Sequence, residues 1–378
     1  MKTVLYVHQS ADLYGSDKVL LDIAGGIRLY GFTPIVLLPT SGPLLEQLQA
    51  AGIETHIVNV AKLSRAAFSP AGLLKLPFEI ASAIRRIDII VAGRSVDVVH
   101  SNTLAVLGGA FWARWRSVPH LWHVHELIIA PKVARIGFPR LVAWLADKVI
   151  CNSSLTEKWL LDSQPCLRER TKVVWNGVER GRSMTVREIE SPPGAVKVAL
   201  VGRINRLKGQ PLLLKAATRL WERGVRHITY VMVGSPPAGQ EHFLNKLRQL
   251  IAASPVRDAI ELKDFTNDVW SIWDTCDLAV VPSTEPESFG LVAIEAMAAG
   301  KPVVAAAHGG LLDIVVDGET GILVPPNDAV SLADAIEKLA GDSELRRRYG
   351  DAGRKRQAEL FSLDHQITET IRCYESLL

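Results

Sequence analysis

Residues 278–296 read LAVVPSTEPESFGLVAIEA, and the fold prediction starts from this stretch. Its first four residues are apolar, as in a strand that is covered on both faces of a parallel sheet. A polar loop with two prolines follows, and an apolar segment with helical spacing begins near Phe289–Gly290. A strand that leads through a short loop into a helix is half of a βαβ unit. The stretch therefore predicts an α/β fold.

The same alternation of short β-branched segments and longer helical segments extends in both directions along the chain. The strands predicted before the middle of the chain are Thr3–His8, Thr33–Leu38, Glu54–Val58, Val96–His100, His120–Val124 and Lys148–Cys151. The helices predicted between them are Asp17–Tyr30, Leu44–Ala51, Ala71–Ala92, Leu104–Trp115 and Arg140–Ala146. Later segments are strands at Val196–Val201, Ile228–Val233, Leu278–Val281 and Pro302–Ala305, a helix at Pro211–Arg223, and mostly helix beyond Ala329. This order predicts mainly parallel sheets with helices on both faces.

Length and turn residues predict two domains. A chain of 378 residues exceeds what a single core usually supports. The polar stretch 177–194 ends in Ser191-Pro192-Pro193-Gly194 and interrupts the alternation. We predict Rossmann-like domains at 1–180 and 196–360, a linker at 181–195, and a helix at 361–378 that is a candidate to cross back to the first domain. Ligands bind outside the carboxyl ends of parallel strands, so we expect the domains to face each other across a ligand-binding cleft.

Composition narrows the class of protein. The hydrophobic share of 48% with 22% charged residues is that of a globular protein. We see neither a spanning apolar segment nor a signal peptide, and expect a cytoplasmic protein. The cysteines form no C-x-x-C pair, which predicts buried reduced thiols; they are Cys151, Cys166, Cys276 and Cys373. Up to Arg182 there are 21 Lys and Arg against 14 Asp and Glu, so the first half is basic. Either this half of the chain binds an anionic partner, or its positive charge is spread over a solvated surface.

The loop after the strand at 278–281 has the features of a phosphate-binding site. Unpaired backbone N–H groups at a helix start bind anions, and the helix dipole adds to the attraction. Gly290 would let a ligand approach the backbone closely. Two carboxylates flank this point: Glu287 just before the helix and Glu295 within it. A carboxylate can accept two hydroxyl hydrogen bonds, as a sugar diol requires. The alternatives are that Glu287 only caps the helix and that Glu295 is a surface residue. Glu285 is a nearby residue that could be mistaken for the important one.

These residues resemble the motif of glycosyltransferase family 4, whose members have the GT-B fold of two Rossmann-like domains. The similarity continues through Gly309-Gly310, Asp317-Gly318, Thr320-Gly321-Ile322-Leu323-Val324 and Asp328, and is dense over about fifty residues. The resemblance implies that Glu287 binds hydroxyls of the donor sugar and Glu295 the donor ribose. It also implies that backbone groups of the segment Ser288, Phe289, Gly290 and Leu291 hold the sugar and the diphosphate.

A second match lies at Gly202-Arg203-Ile204-Asn205-Arg206-Leu207-Lys208-Gly209, between a strand and a helix. Basic residues in such a loop are usually only solvated. Two cations five residues apart can also hold two phosphates, Arg as a planar fork and Lys as a point charge. The resemblance assigns Arg203 and Lys208 to the leaving diphosphate, whereas Arg206 is not at a matching position.

The first domain resembles the family more weakly. Gly15 and Ser16 follow the first strand where relatives usually have two glycines, and the resemblance implies donor contact there. His125, followed by Glu126, matches a histidine that hydrogen-bonds the donor sugar. From the residues alone, His123 and His125 project to one face of a strand, so a metal pair is an alternative. No further ligand cluster accompanies them in the sequence.

The resemblance implies a retaining glycosyltransferase with Glu287, His125, Arg203 and Lys208 as the catalytic group. It moves a hexosyl unit from a nucleotide-diphosphate sugar, with UDP the first expectation and GDP the second. The expected acceptor is a glycan or a lipid-linked molecule of cell-surface polysaccharide or glycolipid synthesis. No metal, other cofactor or nucleic-acid partner is expected. The alternatives are a nucleotide-sugar 2-epimerase of the same fold and an inactive carbohydrate-binding partner.

Segments of the first domain combine apolar and basic residues, as in proteins that dock on anionic membranes. They are Ala66–Arg86, Ala130–Arg140 and the stretch with Trp112, Arg114, Trp115 and Arg116. Ordinary amphipathic helices packed on a sheet are the alternative. A peripheral position on the inner face of the cytoplasmic membrane is therefore an expectation.

Overall fold

The computed structural model describes residues 1–63, 69–128, 132–180 and 194–378. They form two compact units. The first contains Met1–Gly177 together with Leu363–Leu378, and the second contains Val178–Ser362. Most of the predicted linker, at 181–193, lies outside the described residues, as do 66–68 and 130–131 of the basic apolar segments. No helix in the described part of the chain is both long and apolar enough to cross a bilayer.

The first unit is built on one seven-stranded sheet in the order β3-β2-β1-β4-β5-β6-β7, with parallel pairing throughout. Its strands are β1 (Lys2–Val7), β2 (Phe32–Leu38), β3 (Glu54–Ile57), β4 (Val98–Ser101), β5 (His120–Val124), β6 (Lys148–Cys151) and β7 (Thr171–Val173). Its helices are α1 (Gly15–Gly26), α2 (Pro43–Ala50), α3 (Pro70–Ile90), α4 (Gly108–Arg116), α5 (Lys132–Leu145) and α6 (Ser154–Ser163). The strand order reverses between β1 and β4, and ligands bind at such switch points in open parallel sheets.

Apolar side chains on both faces of this sheet explain the near-continuous hydrophobic strands. One cluster joins β1, β2 and β4 to α3 and α4, and includes Leu5, Ile35 and Trp112. A second cluster joins β5 and β6 to α4 and α5, and includes Trp122 and Phe138. The central strands are fully covered, as expected of a doubly wound sheet.

The second unit repeats this plan with six parallel strands in the order β10-β9-β8-β11-β12-β13. Its strands are β8 (Val196–Val201), β9 (Ile228–Val233), β10 (Ile260–Lys263), β11 (Leu278–Val281), β12 (Val303–Ala306) and β13 (Gly321–Val324). Its helices are α7 (Gln210–Glu222), α8 (His242–Ala252), α9 (Val269–Asp274), α10 (Leu291–Ala298), α11 (Leu311–Ile314), α12 (Ala329–Gly341) and α13 (Ser343–Leu360). The switch point lies between β8 and β11, and one large cluster of apolar residues forms the core.

The last helix, α14 (Leu363–Glu375), belongs to the first unit. It buries Tyr374, whose hydroxyl lies 2.7 Å from the hydroxyl of Tyr6 and 2.6 Å from Nδ1 of His100. A second buried contact is made by Gln366, whose Oε1 accepts a hydrogen bond from the backbone N–H of Gly177 at 2.8 Å. The helix is therefore held by specific buried hydrogen bonds as well as by apolar packing.

Several predicted boundaries were wrong. The helix predicted at Arg140–Ala146 is the second half of α5, which begins at Lys132 and continues through Pro139. The helix predicted at Asp17–Tyr30 ends at Gly26 and continues as a 3-10 turn. The edge strands β7, β10 and β13 were not predicted. Cys166 is exposed, whereas the other three cysteines are buried and free.

Candidate functional site

The two loops that resemble the family motif meet at the carboxyl ends of β8 and β11. These strands are neighbours in the sheet, so the loop 202–209 after β8 and the loop 282–290 after β11 lie side by side. The backbone N–H of Thr284 donates to the carbonyl of Leu207 at 2.8 Å, and its hydroxyl donates to the carbonyl of Arg206 at 2.7 Å. Two segments 79 residues apart in sequence thus become one surface at the switch point of the sheet.

An ion pair between Lys208 and Glu287 connects these loops. The ammonium Nζ of Lys208 lies 2.8 Å from Oε1 of Glu287, with the two side chains 20% and 13% exposed. The hydroxyl of Ser283 donates to the same carboxylate oxygen. Burial alone raises the pKa of Glu287, but the charge and hydrogen bond of Lys208, the Ser283 hydroxyl and the charge of His308 outweigh burial. The pKa of Glu287 is therefore lowered, and its carboxylate is ionised at neutral pH.

A second ion pair between the same loops is exposed. Arg206 pairs with Glu285, and the two side chains are 69% and 34% exposed. Solvent screening makes such a surface pair weak. Glu287 and Glu285 thus sit in contrasting environments, one enclosed and one solvated, although they are two residues apart. Arg203 is exposed at the start of the same loop.

The loop after β8 approaches the loop after β11 so closely that only glycine fits at its end. Gly209 has a φ of +77°, and a Cβ there would lie 2.1 Å from the carbonyl oxygen of Pro282. Gln210 then begins α7, and its amide nitrogen donates to the carbonyls of Gly202 and Arg203 at 3.3 and 3.1 Å. These contacts fix the backbone that carries Arg203 and Lys208.

The start of α10 offers unpaired donors to a ligand. Gly290 is the N-cap residue and no side chain caps the helix, so Glu287 is not its cap. The N–H groups of Phe289, Gly290 and Leu291 have no acceptor among the described residues. The Phe289 side chain is buried against Phe361. Ser288 lies partly buried beside it.

The structure rejects one alternative for this loop and gives a second reason for one of its glycines. Glu295 is not a solvated surface residue, because it is only 8% exposed. Gly290 is required by the protein itself, since its φ is +127° and a Cβ would lie 2.7 Å from Cδ2 of Leu311. The backbone after β12 also packs on the loop, where the N–H of Gly310 donates to the carbonyl of Glu287 at 2.8 Å. Neighbouring segments therefore fix the backbone at Glu287.

In the first unit, the candidate residues Ser16 and His125 both contact Asn102, and Gly15 precedes Ser16 at the start of α1. Asn102 follows β4, and its amide nitrogen donates to the carbonyl of Ser16 at 3.2 Å. Its amide oxygen lies 3.4 Å from Nε2 of His125, which follows β5. Since β1, β4 and β5 are adjacent, the loops after them share the carboxyl edge of the sheet. Sequence reasoning missed Asn102, although its position directly after a predicted strand could have identified it.

His125 is neutral and enclosed. It is 7% exposed, and burial together with the nearby His8 lowers its pKa to about 3. Its ring stacks on that of His123, with centroids 3.9 Å apart. The metal-pair alternative lacks further ligands: across residues 1–63, 69–128, 132–180 and 194–378, no three His, Cys, Asp or Glu side chains form a group that could hold a metal.

Glu126 stabilises the loop that carries His125. Its carboxylate accepts hydrogen bonds from the backbone N–H groups of Leu104 and His125, at 3.2 and 3.3 Å. Burial raises its pKa to about 7, and these hydrogen bonds only partly oppose the rise. The sequence marked Glu126 only as the neighbour of His125. Its contact with Leu104, 22 residues away in sequence, could be identified only from the folded structure.

Comparison with known proteins assigns the family. The sequence-family model "Glycosyltransferase Family 4" matches residues 14–182, and the sequence-family model "Glycosyl transferases group 1" matches residues 185–356. A D-inositol 3-phosphate glycosyltransferase of Geodermatophilus obscurus is 32% identical over 346 residues, which cover 84% of this chain and 75% of that protein. The chain belongs to glycosyltransferase family 4.

Further similarities agree with this assignment. A D-inositol 3-phosphate glycosyltransferase of Salinispora tropica is 30% identical over 325 residues, and the match spans 78% of this chain and 66% of that protein. The crystal structure of Anabaena HepE in complex with UDP and glucose superposes over the full length of both chains, with a TM-score of 0.82 and 24% identity. That similarity establishes the fold, GT-B with two Rossmann-like domains.

Proposed function

We propose that this chain is a retaining glycosyltransferase that moves a hexosyl unit from a nucleotide-diphosphate sugar to a glycan or lipid-linked acceptor. The observation that carries the proposal is the enclosed Lys208–Glu287 pair beside the unpaired N–H groups at the start of α10. A cation, a helix N-terminus and a carboxylate then converge on one point. They match the diphosphate and the hydroxyls of a single donor molecule.

In the proposed donor complex, Arg203, Lys208 and the amides of Phe289, Gly290 and Leu291 bind the diphosphate. The ammonium of Lys208 has three N–H donors, so it can keep Glu287 and still donate to a phosphate oxygen. The carboxylate of Glu287 accepts hydrogen bonds from sugar hydroxyls, while Glu295 is assigned to the ribose. Gly15 and Ser16 are assigned to donor contact from the first unit, and His125 to a sugar hydroxyl.

The proposed reaction proceeds with retention and without a protein base. The bond between the anomeric carbon and the phosphate oxygen breaks, and its electron pair stays on the diphosphate. The acceptor oxygen forms the new bond on the same face of the sugar, and its proton passes to a departing phosphate oxygen. Arg203, Lys208 and the start of α10 stabilise the charge that develops on the diphosphate.

UDP is the first candidate for the nucleotide and GDP the second. The HepE structure, solved with UDP and glucose, supports UDP in a protein of this fold. The curated relatives are named for D-inositol 3-phosphate, a phosphorylated polyol. That acceptor belongs in the test beside glycans and lipid-linked sugars, since a basic first unit suits any anionic acceptor.

A peripheral position on an anionic membrane is part of the proposal, with the protein at the inner face of the cytoplasmic membrane. The outer side of α3 exposes Leu74 and Phe78, 75% and 78% accessible, and α5 exposes Val133 at 73%. Exposed cations on the same helices are Lys75, Arg85, Arg86, Arg135 and Arg140. Apolar side chains among cations suit the headgroup region of an anionic bilayer. Trp112 is not part of this surface, because it is 3% exposed and its indole N–H donates to the carboxylate of Asp88.

Donor screening followed by turnover tests the proposed function. A UDP- or GDP-sugar should raise the melting temperature of the protein, since a ligand bound only to the folded state stabilises it. The same donor should then release its nucleotide only with an acceptor, and the product should keep the anomeric configuration of the donor. Conversion of the donor without acceptor would identify an epimerase. Binding without any turnover would identify an inactive carbohydrate-binding protein.

Flotation with vesicles tests the membrane contact. The protein should float at low salt with vesicles rich in phosphatidylglycerol and not with phosphatidylcholine alone. The double variant Leu74→Ser/Phe78→Ser should lose flotation. The matched control is Leu29→Ser/Ile57→Ser, which removes exposed apolar side chains from other elements of the same unit. Equal flotation of the two double variants would refute the assigned surface.

A further inference from the structure

A chain of buried hydrogen bonds leads from His125 back to a carboxylate. Nε2 of His125 lies 3.4 Å from Oδ1 of Asn102, and Nδ2 of Asn102 lies 3.2 Å from Nδ1 of His8. Nε2 of His8 lies 2.6 Å from Oδ1 of Asp17. All four residues are at most 7% exposed, and they come from loops and a helix at the carboxyl ends of β1, β4 and β5.

The two ends of this chain fix the direction of each hydrogen bond. Asp17 accepts from the hydroxyl of Ser10 at 2.5 Å and from the N–H of Tyr14 at 2.9 Å. Burial raises the pKa of Asp17, but the hydrogen bonds from His8, Ser10 and Tyr14 and the charge of His8 outweigh burial, so this pKa is lowered. An ionised carboxylate only accepts, so Nε2 of His8 donates to it. Nδ1 of His8 lies 3.2 Å from Nδ2 of Asn102 and accepts from that amide nitrogen.

Asn102 is oriented jointly by Nδ1 of His8 and the backbone of Ser16. Its Nδ2 also faces the carbonyl of Ser16 at 3.2 Å, so this atom is the amide nitrogen and donates to both neighbours. Oδ1 must then accept from His125, and the single proton of the neutral His125 ring sits on Nε2. Nδ1 of His125 has no partner among the described residues and is not sealed from solvent.

We propose that Asp17, acting through His8 and Asn102, keeps the proton of His125 on Nε2 and leaves Nδ1 free to accept a hydrogen bond from a ligand hydroxyl. Asp17, His8 and Asn102 are thus positioning residues. The ligand class that fits is one that donates an O–H at this point. The inference rests on the proposed function only for the identity of that ligand as the donor sugar.

Nitrogen-15 spectra of the histidine side chains test the proposal, because they separate a nitrogen that bears a proton from one that bears a lone pair. In Asp17→Asn the new amide must turn its oxygen to the N–H of Tyr14, so its nitrogen faces His8. The proton of His8 then moves to Nδ1 and opposes Nδ2 of Asn102, so we expect Asn102 to turn over at the loss of its hydrogen bond to Ser16 and the proton of His125 to move to Nδ1. The control is Asp147→Asn, which alters a carboxylate at the other end of β5 that accepts from the backbone N–H of His120 at 2.9 Å.

An unchanged His125 tautomer in Asp17→Asn, or a proton on Nδ1 in the wild-type protein, would overturn the proposal. If Asp17→Asn does not fold, Asn102→Asp carries the test. A carboxylate at that position accepts from both neighbours, so His8 should become protonated on both nitrogens while His125 keeps its proton on Nε2. A neutral His8 in Asn102→Asp would equally overturn the proposal.

Activity separates this inference from the proposed function. Sugar transfer by Asp17→Asn should fall about tenfold in kcat/KM, the loss of roughly one hydrogen bond, while Asp147→Asn stays near the wild-type value. A wild-type protein without any transfer would refute the proposed function, yet the tautomer measurement would still decide the inference. Full transfer by an Asp17→Asn protein whose tautomer has changed would remove any role for Nδ1.

Discussion

The ammonium of Lys208 lies 2.8 Å from the carboxylate of Glu287, and this pair joins the loops after two neighbouring strands of the second sheet. The neighbouring pair of Arg206 and Glu285 joins the same loops in solvent. Only the first pair is enclosed and lies beside the unpaired amides of α10. The two pairs are similar in chemistry and differ in environment, so each serves as a control for the other.

Replacing Glu287 by glutamine should separate the two carboxylates by activity. Glu287→Gln keeps the size of the side chain but loses the charge-assisted hydrogen bonds that we propose it makes with sugar hydroxyls. Such bonds contribute about 1.5–3 kcal/mol, so kcat/KM should fall about 10- to 100-fold. Steady-state kinetics of nucleotide release give the value. Glu285→Gln should stay within about twofold of the wild type, and a larger loss there than at Glu287 would contradict the assignment.

Gly209 should be far less tolerant of a side chain than Gly224. Both have positive φ, +77° and +88°, but only a Cβ at Gly209 meets backbone, 2.1 Å from the Pro282 oxygen. Gly224→Ala should cost about 1 kcal/mol for the left-handed conformation. Gly209→Ala should cost about 1–3 kcal/mol more, because the two loops must separate. Urea unfolding of the variants measures the difference, and equal losses of stability would show that the close approach is absent.

The carboxyl of Glu126 should make stability depend on pH near neutrality. Its pKa is raised from 4.5 to about 7, so the folded protein holds a proton there that the unfolded chain has lost. The free energy of unfolding should therefore fall as pH rises from about 4.5 to about 7, relative to a variant without this ionisation. Glu126→Gln keeps an oxygen for the N–H groups of Leu104 and His125 and provides that reference. Parallel pH profiles of urea midpoints for the two proteins would rule out the raised pKa.

The sequence predicted the fold because strands buried on both faces are nearly continuous apolar segments. The predicted strands at 120–124, 148–151, 196–201, 228–233 and 278–281 coincide with observed ones. The short edge strands escaped detection for two reasons: β7 and β10 contain polar residues and are only partly buried, whereas β13 is apolar but only four residues long. The first half of α5 was not predicted, and this helix continues through Pro139 although proline has a low helix propensity.

The sequence also identified the loops of the second unit, but not the contacts within them. Both motif loops follow strands, and their meeting follows from the sheet order. The pairing of Lys208 with Glu287 rather than with Glu285 depends on loop geometry, which no local pattern encodes. Asp17, His8 and Asn102 were missed for a related reason. Their partners are up to 94 residues apart in sequence, and each residue type alone is common in α/β loops.

Sugar transfer by the double variant Arg203→Ala/Lys208→Ala tests the central claim most directly, with Arg206→Ala/Glu285→Ala as the matched control. Removing two donors from a developing diphosphate charge should lower kcat at least about 100-fold. The control removes an exposed ion pair from the same two loops and should keep activity near the wild-type level. Wild-type activity in Arg203→Ala/Lys208→Ala, at equal folded fraction, would contradict the proposed diphosphate site.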